Sequence, residues 1–577
     1  MFAHVSRLLR NSGFMLIPHM PVRKDYSRTD FFADAQAALT VAAVLVPQSI
    51  AYALLAGLPP AHGLYAALLG GIAGSLWGSS RHLATGPIAL VSLLTLTAVS
   101  PLAAAGSPEY IALVAVLALM VGVIQIGLGL LRSGFLMRLV PSSVLVGFST
   151  GAAVMIILTQ VPRLLGFYGS TSAFALPQMN FIVRSLPETN WYTLAIGAVS
   201  IAVLMLLKRI DRRIPATLVV LMLGIVASYL LDLASFGVKL AGDIPARLPI
   251  SDIPTLSFQT LFALGGDAFV IALVGFMSTY AVVKEFSSRT GEKSNADQEL
   301  VGQGFANLLS GLFRGHPVGG SLSRTAVNYD AGARTAWSGV YAAFVVVLVI
   351  LFLTPVLSYL PNAVLAAIVI TAVLPLIDIK EFRRQYAITR TDGIIAGATF
   401  AAVFVLRPDE AVLVGVILAL ALYLRKVMLV HVVEVAFHPE WRSLVMRSSY
   451  PQAEVFPRML MLRIDAPVFY ANIERLSDEI IEAVELWKEK NEAVPEVLLL
   501  DFSGVNHMDV TGVEGLAQMV RDIKKEHIKI IIATPRREIR KVLERGNLGD
   551  AVRFVHGMRE VRQIGEVLTA SDRTLVI

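Results

Sequence analysis

The fold follows from the stretch Pro317-Val318-Gly319-Gly320-Ser321-Leu322-Ser323-Arg324, which places helix-breaking residues and a charge inside a long apolar region. The short apolar segment that it opens, residues 320–330, has a counterpart at residues 87–100, which follows Thr85-Gly86-Pro87. That counterpart has about 14 residues, or about 21 Å of helix, too short to cross a hydrocarbon core of about 30 Å. Two short, Gly/Pro-interrupted segments at corresponding positions of a membrane protein predict a binding site at the midplane.

The composition is that of a membrane protein. Of the 577 residues, 55% are hydrophobic and 16% are charged, and the mean hydropathy is +0.67. An ordinary soluble domain has about a quarter of its residues charged. The chain has no cysteine, which excludes disulfides, thiolate metal sites and cysteine nucleophiles. Its formal charge of +6 lies in short clusters between apolar segments, a pattern typical of membrane topology rather than of nucleic-acid binding.

Nearly continuous apolar segments fill residues 31–430, which we assign to a transmembrane transport domain. Most are close to the ~20 residues that span a bilayer. Fourteen segments are predicted, at residues 31–56, 62–79, 87–100, 108–131, 141–160, 190–207, 214–234, 260–287, 296–313, 320–330, 334–356, 361–378, 391–406 and 409–428. The two short segments are the third and the tenth, and this offset of seven predicts two seven-segment repeats of opposite orientation.

Positive charges in the loops predict the orientation. With the N-terminus inside, the inner loops hold Arg81, Arg132, Arg138, Lys208, Arg209, Arg212, Arg213, Lys284, Arg289, Lys293, Arg334, Lys380, Arg383, Arg384, Arg390, Arg425 and Lys426. The outer loops hold few: Arg163, Arg184, Lys239, Arg247, Arg314 and Arg407. Residues 1–30 are also basic, with Arg7, Arg10, Arg23, Lys24 and Arg28, and have no long apolar core of a cleaved signal peptide. We therefore expect the N-terminal segment and the C-terminal region to be cytoplasmic.

After a predicted linker, residues 431–451, the sequence takes on the pattern of a soluble α/β domain, residues 452–570. Apolar runs of β type, such as Met459–Ile464 and Val497–Phe502, alternate with amphipathic stretches such as Ile473–Lys490. This alternation predicts a small domain with a mixed sheet.

The N-termini of the two half-helices form a candidate anion site. Unpaired N–H groups and the helix dipole attract anions there, and the preceding glycines let the backbone approach a ligand closely. The candidate residues are Thr85, Ile88, Ala89, Ser321, Leu322 and Ser323, with the backbone N–H groups of the last five as the donors. The alternative interpretation is a pair of tolerated kinks inside a packed bundle.

Arg324 is the strongest single candidate for a residue of the anion site. A charged side chain within a membrane segment costs about 2.5–3.5 kcal/mol on insertion scales and is usually functional. The alternatives are that Arg324 extends to the interface or neutralises Asp330. Gln48 and Tyr52, one helical turn apart, and the pair Ser278 and Thr279 offer polar groups that suit an oxyanion or, equally, an ordinary hydrogen bond between helices.

The sequence gives little support for an enzymatic activity. Asp501-Phe502-Ser503-Gly504 superficially resembles the DFG triplet of a kinase, but the chain has no glycine-rich loop or catalytic-loop partners for it. His507 and Asp509 are two metal-ligand types on one loop, which is a weak signal. We therefore expect no enzyme activity, no metal and no cofactor.

Several motifs resemble the sulfate permease (SulP, solute carrier 26) family. They are Val46-Pro47-Gln48-Ser49-Ile50-Ala51-Tyr52-Ala53, Gly57-Leu58-Pro59-Pro60, Gly63-Leu64-Tyr65, Gly78-Ser79-Ser80-Arg81, Gly86-Pro87, Asp297-Gln298-Glu299-Leu300, Ser321-Leu322-Ser323-Arg324-Thr325-Ala326-Val327-Asn328 and Gly332-Ala333-Arg334-Thr335. The C-terminal part resembles a STAS domain, with Asp501-Phe502-Ser503-Gly504 ending a strand and Asp509-Val510-Thr511-Gly512 opening a helix.

The resemblance implies a fold and a site. In the family, fourteen segments form a core (segments 1–4 and 8–11) and a gate (segments 5–7 and 12–14), the core moves past the gate, and the protein is typically a homodimer. The anion lies between segments 3 and 10, near residues matching Gln48, Tyr52, Ile88, Ser321, Ser323 and Arg324. Many prokaryotic members have an acid at the position of Gln48 or Ser278, which this chain lacks. Thr511 matches a phosphorylatable serine of stand-alone STAS proteins, but threonine is also an ordinary residue at a helix N-terminus.

These observations predict secondary active transport of an anion, with sulfate as the first choice, across the cell (inner) membrane. A proton or sodium is the candidate co-ion, and membrane lipid surrounds the helices. The alternatives are a bicarbonate, chloride or dicarboxylate exchanger, an uncoupled anion pathway and, from another class, a signalling scaffold that senses an anion. A cytoplasmic partner of the STAS domain is also expected, and nucleic acid is not.

Overall fold

The computed structural model describes residues 26–134, 140–167, 174–210, 215–242, 245–251, 257–549 and 551–570. The chain divides into two compact units, residues 1–419 and residues 420–577. Several charges used to predict the orientation lie outside the described residues: Arg7, Arg10, Arg23, Lys24, Arg138, Arg212 and Arg213.

Helices make up the first unit. Its first half contains α1 (Arg28–Leu55), α2 (Pro60–Trp77), β1 (Thr85–Gly86), α3 (Ala89–Val99), α4 (Pro108–Leu130), α5 (Ser142–Leu165), α6 (Ala175–Ser185), α7 (Trp191–Ile210) and α8 (Ala216–Leu230). The helices and strand that follow are α9 (Phe258–Thr290), α10 (Ala296–Leu312), β2 (Gly319–Gly320), α11 (Leu322–Asp330), α12 (Trp337–Leu348), α13 (Thr354–Leu357), α14 (Asn362–Val373), α15 (Ile379–Ile388), α16 (Arg390–Val405) and α17 (Pro408–Met428). A π-helical turn, Val349–Leu353, joins α12 to α13.

The fourteen predicted segments correspond in order to α1–α5, α7–α12, α14, α16 and α17. Among the described residues, eight helices are long and apolar enough to cross a membrane, by length and composition. The third and tenth segments are the short ones, as predicted, because α3 has 11 residues and α11 has nine.

Two buried strands cross inside the first unit. β1 pairs with β2 in antiparallel register, with Thr85 opposite Gly320 and Gly86 opposite Gly319. Each strand leads within a few residues into the N-terminus of a half-helix, α3 after β1 and α11 after β2. Because the strands are antiparallel, the two half-helices leave the crossing in opposite directions, as an inverted repeat requires. We call the paired strands the crossover.

The helices of the first unit pack in two groups. In one group, α10 packs on α2 and α4, α12 packs on α1 and α2, and α9 packs on α3 and α4. In the other group, α5 packs on α7, α14 and α16, and α14 also packs on α7. We call α1–α4 with α9–α13 the core bundle, and α5–α8 with α14–α17 the gate bundle. The two bundles meet where α1 contacts α8 and α14, and where α3 contacts α5.

Glycines let two helices of the core bundle approach closely. A Cβ at Gly122 of α4 would lie 2.7 Å from the carbonyl oxygen of Gly304 on α10, and a Cβ at Gly304 would lie 2.6 Å from the Ile126 side chain. Small residues are common where membrane helices pack, because association there depends on close van der Waals contact. Gly127, on the same helix as Gly122, has no atom within 4 Å of its Cβ position.

The second unit is an α/β domain with a six-stranded sheet. Its elements are β3 (Val432–His438), β4 (Ser443–Met446), β5 (Met459–Ile464), α18 (Ile473–Asn491), β6 (Val497–Asp501), α19 (Val510–Lys524), β7 (Lys529–Ala533), α20 (Arg537–Arg545), β8 (Arg553–Val555) and α21 (Met558–Ala570). The strand order is β4-β3-β5-β6-β7-β8. β5 to β8 are parallel, and β3 is antiparallel to both of its neighbours, so the sheet is mixed as predicted.

The segment 431–451, which the sequence suggests is a linker, instead contains β3 and β4. Both strands are short and are separated by turn-forming residues, so their sequence resembles a connection. The pairing of Val432 with Ile464 and of Val433 with Arg463 adds β3 to the sheet at β5. Strand formation depends on such partners more than on local preference, and local sequence does not specify them.

We expect Gly122→Ala to destabilise the first unit by about 1–3 kcal/mol, because the added methyl group must displace backbone atoms of α10. Gly127→Ala, on the same helix, is the matched control and should be neutral or slightly stabilising, since alanine is the better helix former. Thermal unfolding of both detergent-solubilised variants beside the parent measures the difference. Equal melting temperatures for the two variants would contradict the close packing of α4 on α10.

Candidate functional site

The crossover is held by backbone hydrogen bonds and by one hydroxyl. The Ser321 N–H donates to the Ala84 carbonyl oxygen at 3.1 Å, which extends the pairing of β1 with β2. The Gly320 N–H donates to Oγ1 of Thr279 on α9 at 2.8 Å, and this hydroxyl donates in turn to the Gly275 carbonyl oxygen at 2.7 Å. All these residues are buried, so loss of one partner would leave a polar group without water to replace it.

Three polar side chains of α10 support the crossover, and we call them the polar stripe. Glu299, Gln303 and Asn307 are four residues apart, so they lie along one face of the helix. Nε2 of Gln303 donates to the Thr85 hydroxyl at 3.0 Å and to the Glu299 carboxylate at 3.2 Å. The same carboxylate accepts from the N–H and the hydroxyl of Ser79, each at 2.8 Å. The polar stripe thus binds β1 and the loop before it.

Asn307 binds the segment that leads into the second strand. Its Oδ1 accepts from the Val318 N–H at 2.7 Å, and its Nδ2 donates to the Val318 carbonyl oxygen at 3.2 Å. Nδ2 also donates to Oε1 of Gln125 on α4 at 2.9 Å, and Gln125 donates to the Ala272 carbonyl oxygen of α9 at 3.1 Å. The polar stripe therefore connects both strands of the crossover to α4 and α9.

Arg324 lies in the first turn of α11 and is completely buried, with 0% exposure. Its Nη1 donates to Oε1 of Gln48 on α1 at 3.0 Å. Nε and Nη2 have no hydrogen-bond partner among the described residues. Neither alternative that the sequence left open is found, since Arg324 does not reach the surface and forms no ion pair with Asp330.

The N-terminus of α3 begins beside this guanidinium. Nη2 of Arg324 lies 3.4 Å from the position that a Cβ at Gly86 would take, so glycine allows the close approach. Two residues later, Ile88 is the N-cap of α3 and makes no side-chain hydrogen bond to the first turn. Ile88 and Ala89 are buried, so the positive end of this helix dipole lies in a site of low polarity.

The N-terminus of α11 carries the other predicted residues. Ser321 is the N-cap, and its hydroxyl accepts from the Arg324 N–H at 3.4 Å and lies 3.3 Å from the Ser323 hydroxyl. Leu322 and Ser323 are exposed within the first unit. The backbone N–H of Ser321, one of the predicted anion donors, instead donates to Ala84, because Ser321 extends the strand pairing by one residue.

The remaining predicted residues of the first unit differ in their contacts. Tyr52, one turn after Gln48 on α1, is buried and lies close enough to Arg324 to interact with its charge. The Thr85 hydroxyl is bound to the polar stripe. Ser278 is half-buried and makes no side-chain hydrogen bond among the described residues, whereas its neighbour Thr279 binds the crossover.

Thr511, the predicted regulatory residue, is the second residue of α19 and is exposed. The cap of this helix is Asp509, whose carboxylate accepts from the Gly512 N–H at 2.7 Å. Since Asp509 already satisfies the first turn, the Thr511 hydroxyl has no capping role there. Its phosphorylation stays a prediction.

The arrangement in the first unit is suited to holding a negative charge. A buried guanidinium, with two nitrogens that have no partner among the described residues, lies in the first turn of α11 and beside Gly86, which leads into α3. Its charge and the helix N-termini both attract anions. The described residues contain no group of three or more His, Cys, Asp or Glu that could hold a metal ion. A polytopic helical bundle with such a site, followed by a small α/β domain, defines the class of protein: a membrane transporter of anions.

The chain belongs to the sulfate permease family, whose family profile matches residues 31–399. A STAS domain profile matches residues 450–561. The resemblance seen in the sequence motifs is thereby confirmed. The protein is a member of a family of transporters and not an enzyme.

Known relatives are similar to this chain over most of its length. "Sulfate transporter 4.1, chloroplastic" of Arabidopsis thaliana is 31% identical over 543 residues, which cover 92% of this chain and 79% of that protein. A protein of Mycobacterium tuberculosis named "Probable sulfate transporter" is 32% identical over 529 residues, or 92% of this chain and 94% of its own length.

A solved structure shows the same fold. The murine Solute Carrier 26 family member A9 anion transporter, in its inward-facing state, matches with a TM-score of 0.87. The two sequences are 22% identical, and the match covers 95% of this chain and 92% of that chain. The likeness confirms the predicted fold class, a helical membrane transporter with a C-terminal STAS domain.

Sequence reasoning missed the polar stripe. For Thr279 it left open an oxyanion contact or an ordinary hydrogen bond, and the structure shows the hydrogen bond. The available signal is the spacing of Glu299, Gln303 and Asn307, since polar residues every four positions in an apolar helix indicate a buried polar face. Ser278 and Thr279 are adjacent, and the sequence gives no reason to prefer one hydroxyl over the other.

We expect Thr279→Val to loosen the crossover, because the Gly320 N–H loses its acceptor while the shape of the side chain is kept. Leaving a buried donor unpaired costs about 1–3 kcal/mol. Thr279→Ser retains the hydroxyl and is the matched control. Thermal unfolding and amide hydrogen exchange in the peptide that contains β2 measure the effect, and identical results for the two variants would rule out this role of the hydroxyl.

Proposed function

We propose that this protein is a secondary active transporter of sulfate, which binds between the N-termini of α3 and α11. The observation that carries the proposal is the buried guanidinium of Arg324, whose Nε and Nη2 have no partner among the described residues. A buried charge without a partner is costly, so an anion at this place stabilises the site by supplying the partners.

The two unpaired nitrogens form the edge of a guanidinium that binds an oxyanion with two parallel hydrogen bonds. The same edge of Arg384 holds both oxygens of the Glu381 carboxylate at 2.7 Å each, so the chain contains an example of this geometry. Gln48 binds Nη1 and so orients the open edge of Arg324. Sulfate presents pairs of oxygens with a similar spacing, and the names of the two relatives also support sulfate.

Further predicted residues complete the proposed site. Tyr52 contributes a phenol, and Ser323 contributes a hydroxyl and an N–H group in the exposed first turn of α11. Ile88 and Ala89 contribute the N-terminus of α3. A helix N-terminus stabilises an anion without adding a full positive charge, which leaves the site weak enough to release its substrate.

We also propose how the site moves. Gln48, Arg324 and both strands of the crossover belong to the core bundle, so the core bundle carries the anion past the gate bundle. The resemblance to the family supports this movement and a homodimer in the cell (inner) membrane. The loop charges support an inward N-terminus, which places residues 1–30 and the STAS domain in the cytoplasm, where a partner could bind that domain.

A second candidate function is anion exchange or an uncoupled anion pathway. Neither Gln48 nor Ser278 is acidic, although many family members have an acid at one of these positions. Of the carboxylates near the ends of α9, Asp267 is paired with Arg407. Gln48 and Ser278 therefore offer no carboxylate to a proton or sodium, which favours exchange of bicarbonate, chloride or dicarboxylates over symport.

Uptake into proteoliposomes tests the proposed function. Labelled sulfate should accumulate above the level of protein-free liposomes, and unlabelled bicarbonate, chloride and dicarboxylates should be compared as competitors. Imposed proton and sodium gradients separate symport from exchange. Binding of sulfate without any flux would instead indicate an anion-sensing scaffold.

We expect Arg324→Ala to raise the Kd for sulfate at least about tenfold, because hydrogen bonds to a charged group contribute about 1.5–3 kcal/mol each. Arg324→Lys keeps the charge without the two-nitrogen edge and should be intermediate. Arg289→Ala is the matched control, since Arg289 lies exposed on α9 and pairs with Glu285. Titration calorimetry of the folded variants measures the affinity, and a normal Kd for Arg324→Ala would eliminate its proposed role.

We expect Ser278→Glu to make sulfate uptake dependent on pH, because a carboxylate beside the anion adds repulsion that protonation removes. Uptake should therefore rise as the pH falls through the pKa of the introduced carboxyl group. Ser278→Gln has a similar size without a charge and is the control. Initial uptake rates between about pH 5 and 8 measure the effect, and matching pH profiles for the two variants would place residue 278 away from the anion.

A further inference from the structure

Two arginines of the gate bundle bind the core bundle at the end where α1 stops, which is the predicted outer end. Arg407, between α16 and α17, donates from Nη2 to the Asp267 carboxylate of α9 at 2.9 Å and to the Thr97 carbonyl oxygen of α3 at 3.2 Å. Arg163, near the end of α5, donates from Nη2 to the Leu54 carbonyl oxygen of α1 at 2.9 Å.

Both carbonyl groups lie in the last turn of a core helix. Leu54 is one residue before the end of α1, and Thr97 is two residues before the end of α3. The last four carbonyl groups of a helix have no partner within the helix and form the negative end of its dipole, so a guanidinium is attracted there. The arginines thus bind three helices that build the proposed site or hold the crossover. α1 contains Gln48, α3 is the first half-helix, and α9 contains Thr279.

Apolar packing between the bundles is incomplete at this end. A cleft of about 350 Å³ lies between them, lined by Leu54, Leu58 and Leu96 on the core side and by Gln160 and Arg163 on the gate side, among others. An unfilled space of this kind forfeits dispersion contacts. The hydrogen bonds of the two arginines lie beside this cleft and join its two sides.

Two polar side chains at the opposite, predicted inner end bind within the gate bundle. Ser143, at the start of α5, donates to Asp392 of α16, and Lys208, near the end of α7, donates to the Thr371 carbonyl oxygen of α14. These partners all belong to the gate bundle. The arginine contacts, in contrast, join the gate bundle to the core bundle at the outer end.

We propose that Arg163 and Arg407 form a latch that holds the outer end of the core bundle against the gate bundle and opens in each transport cycle. The inference rests on the proposed function, in which the core bundle moves past the gate bundle. α1, α3 and α9 cannot slide along the gate bundle without breaking these hydrogen bonds. The latch sets the population of the state that is closed at the outer end, and through it the maximal transport rate.

Cysteine labelling can measure this population, because the chain contains no cysteine of its own. Leu96→Cys places a reporter on α3 beside the cleft, where the leucine is 3% exposed. In intact cells, a membrane-impermeant maleimide should reach this cysteine only when the outer end opens. Adding Arg163→Ala or Arg407→Ala should raise the labelling rate about tenfold each, which corresponds to about 1.4 kcal/mol of lost latch stabilisation.

Arg384→Ala is the matched control, since Arg384 is an arginine of the gate bundle that pairs with Glu381 on its own helix α15. This variant should label at the parent rate. Asp267→Ala removes the acceptor from the other side and should raise labelling towards the rate of Arg407→Ala, which also loses the contact with Thr97. Parent-like labelling of the folded Arg163→Ala and Arg407→Ala variants would overturn the latch.

A rescue variant separates the latch from general loosening of the fold. Exchanging the charges in Asp267→Arg with Arg407→Asp should restore part of the slow labelling, since the ion pair is rebuilt while the Thr97 carbonyl oxygen stays without its donor. Labelling of this folded double variant as fast as that of Arg407→Ala would contradict the pairing. Labelling is measured without sulfate, so the result does not depend on the anion site. Normal sulfate affinity in Arg324→Ala together with fast labelling in the latch variants would reject the proposed site and retain the latch.

Discussion

The antiparallel pairing of β1 with β2 is the constraint on which the rest of the first unit depends. Two strands of two residues each cannot hold together alone, and non-helical backbone at membrane depth must find every hydrogen-bond partner within the protein. Thr279 supplies an acceptor for Gly320, and Asn307 binds both backbone groups of Val318. The polar residues inside this apolar bundle are thus a consequence of placing strands there.

The crossover in turn determines the environment of Arg324. The start of α11 is bound through Ser321 to Ala84, and α11 has only nine residues, so the guanidinium three positions later cannot follow a mobile helix end to water. A long basic side chain at a membrane surface usually relieves its burial by extending to the interface. Here Gln48 satisfies one nitrogen, and the other two remain unpaired in a buried site. The cost of that burial is the physical basis of the proposed anion binding.

Most of the fold could be predicted because a bilayer restricts what a sequence can do. Its thickness sets the length of each segment, and glycine and proline mark where helices break. Arg324 could be singled out because a charge in a membrane segment is rare. The partners of the polar stripe could not, since Gln303 and Thr85 are 218 positions apart and nothing local relates them. β3 could not be predicted either, since it forms a strand only by pairing with the distant β5. The hydrogen bond from Ser321 to Ala84 was also not predictable, because a pattern of residues does not tell where strand pairing ends.

The hydrogen bonds of the first unit separate into two kinds. Those that build the crossover and orient Arg324 come from α1, α4, α9 and α10, all in the core bundle, and they are buried. Those that join core to gate come from Arg163 and Arg407, at a boundary with a cleft and partial exposure. Fully buried hydrogen bonds are the more expensive to break, because the freed groups find no water, whereas groups at a partly exposed boundary can be solvated. In the proposed movement, the core bundle therefore breaks the contacts at its boundary and keeps those that build the proposed anion site.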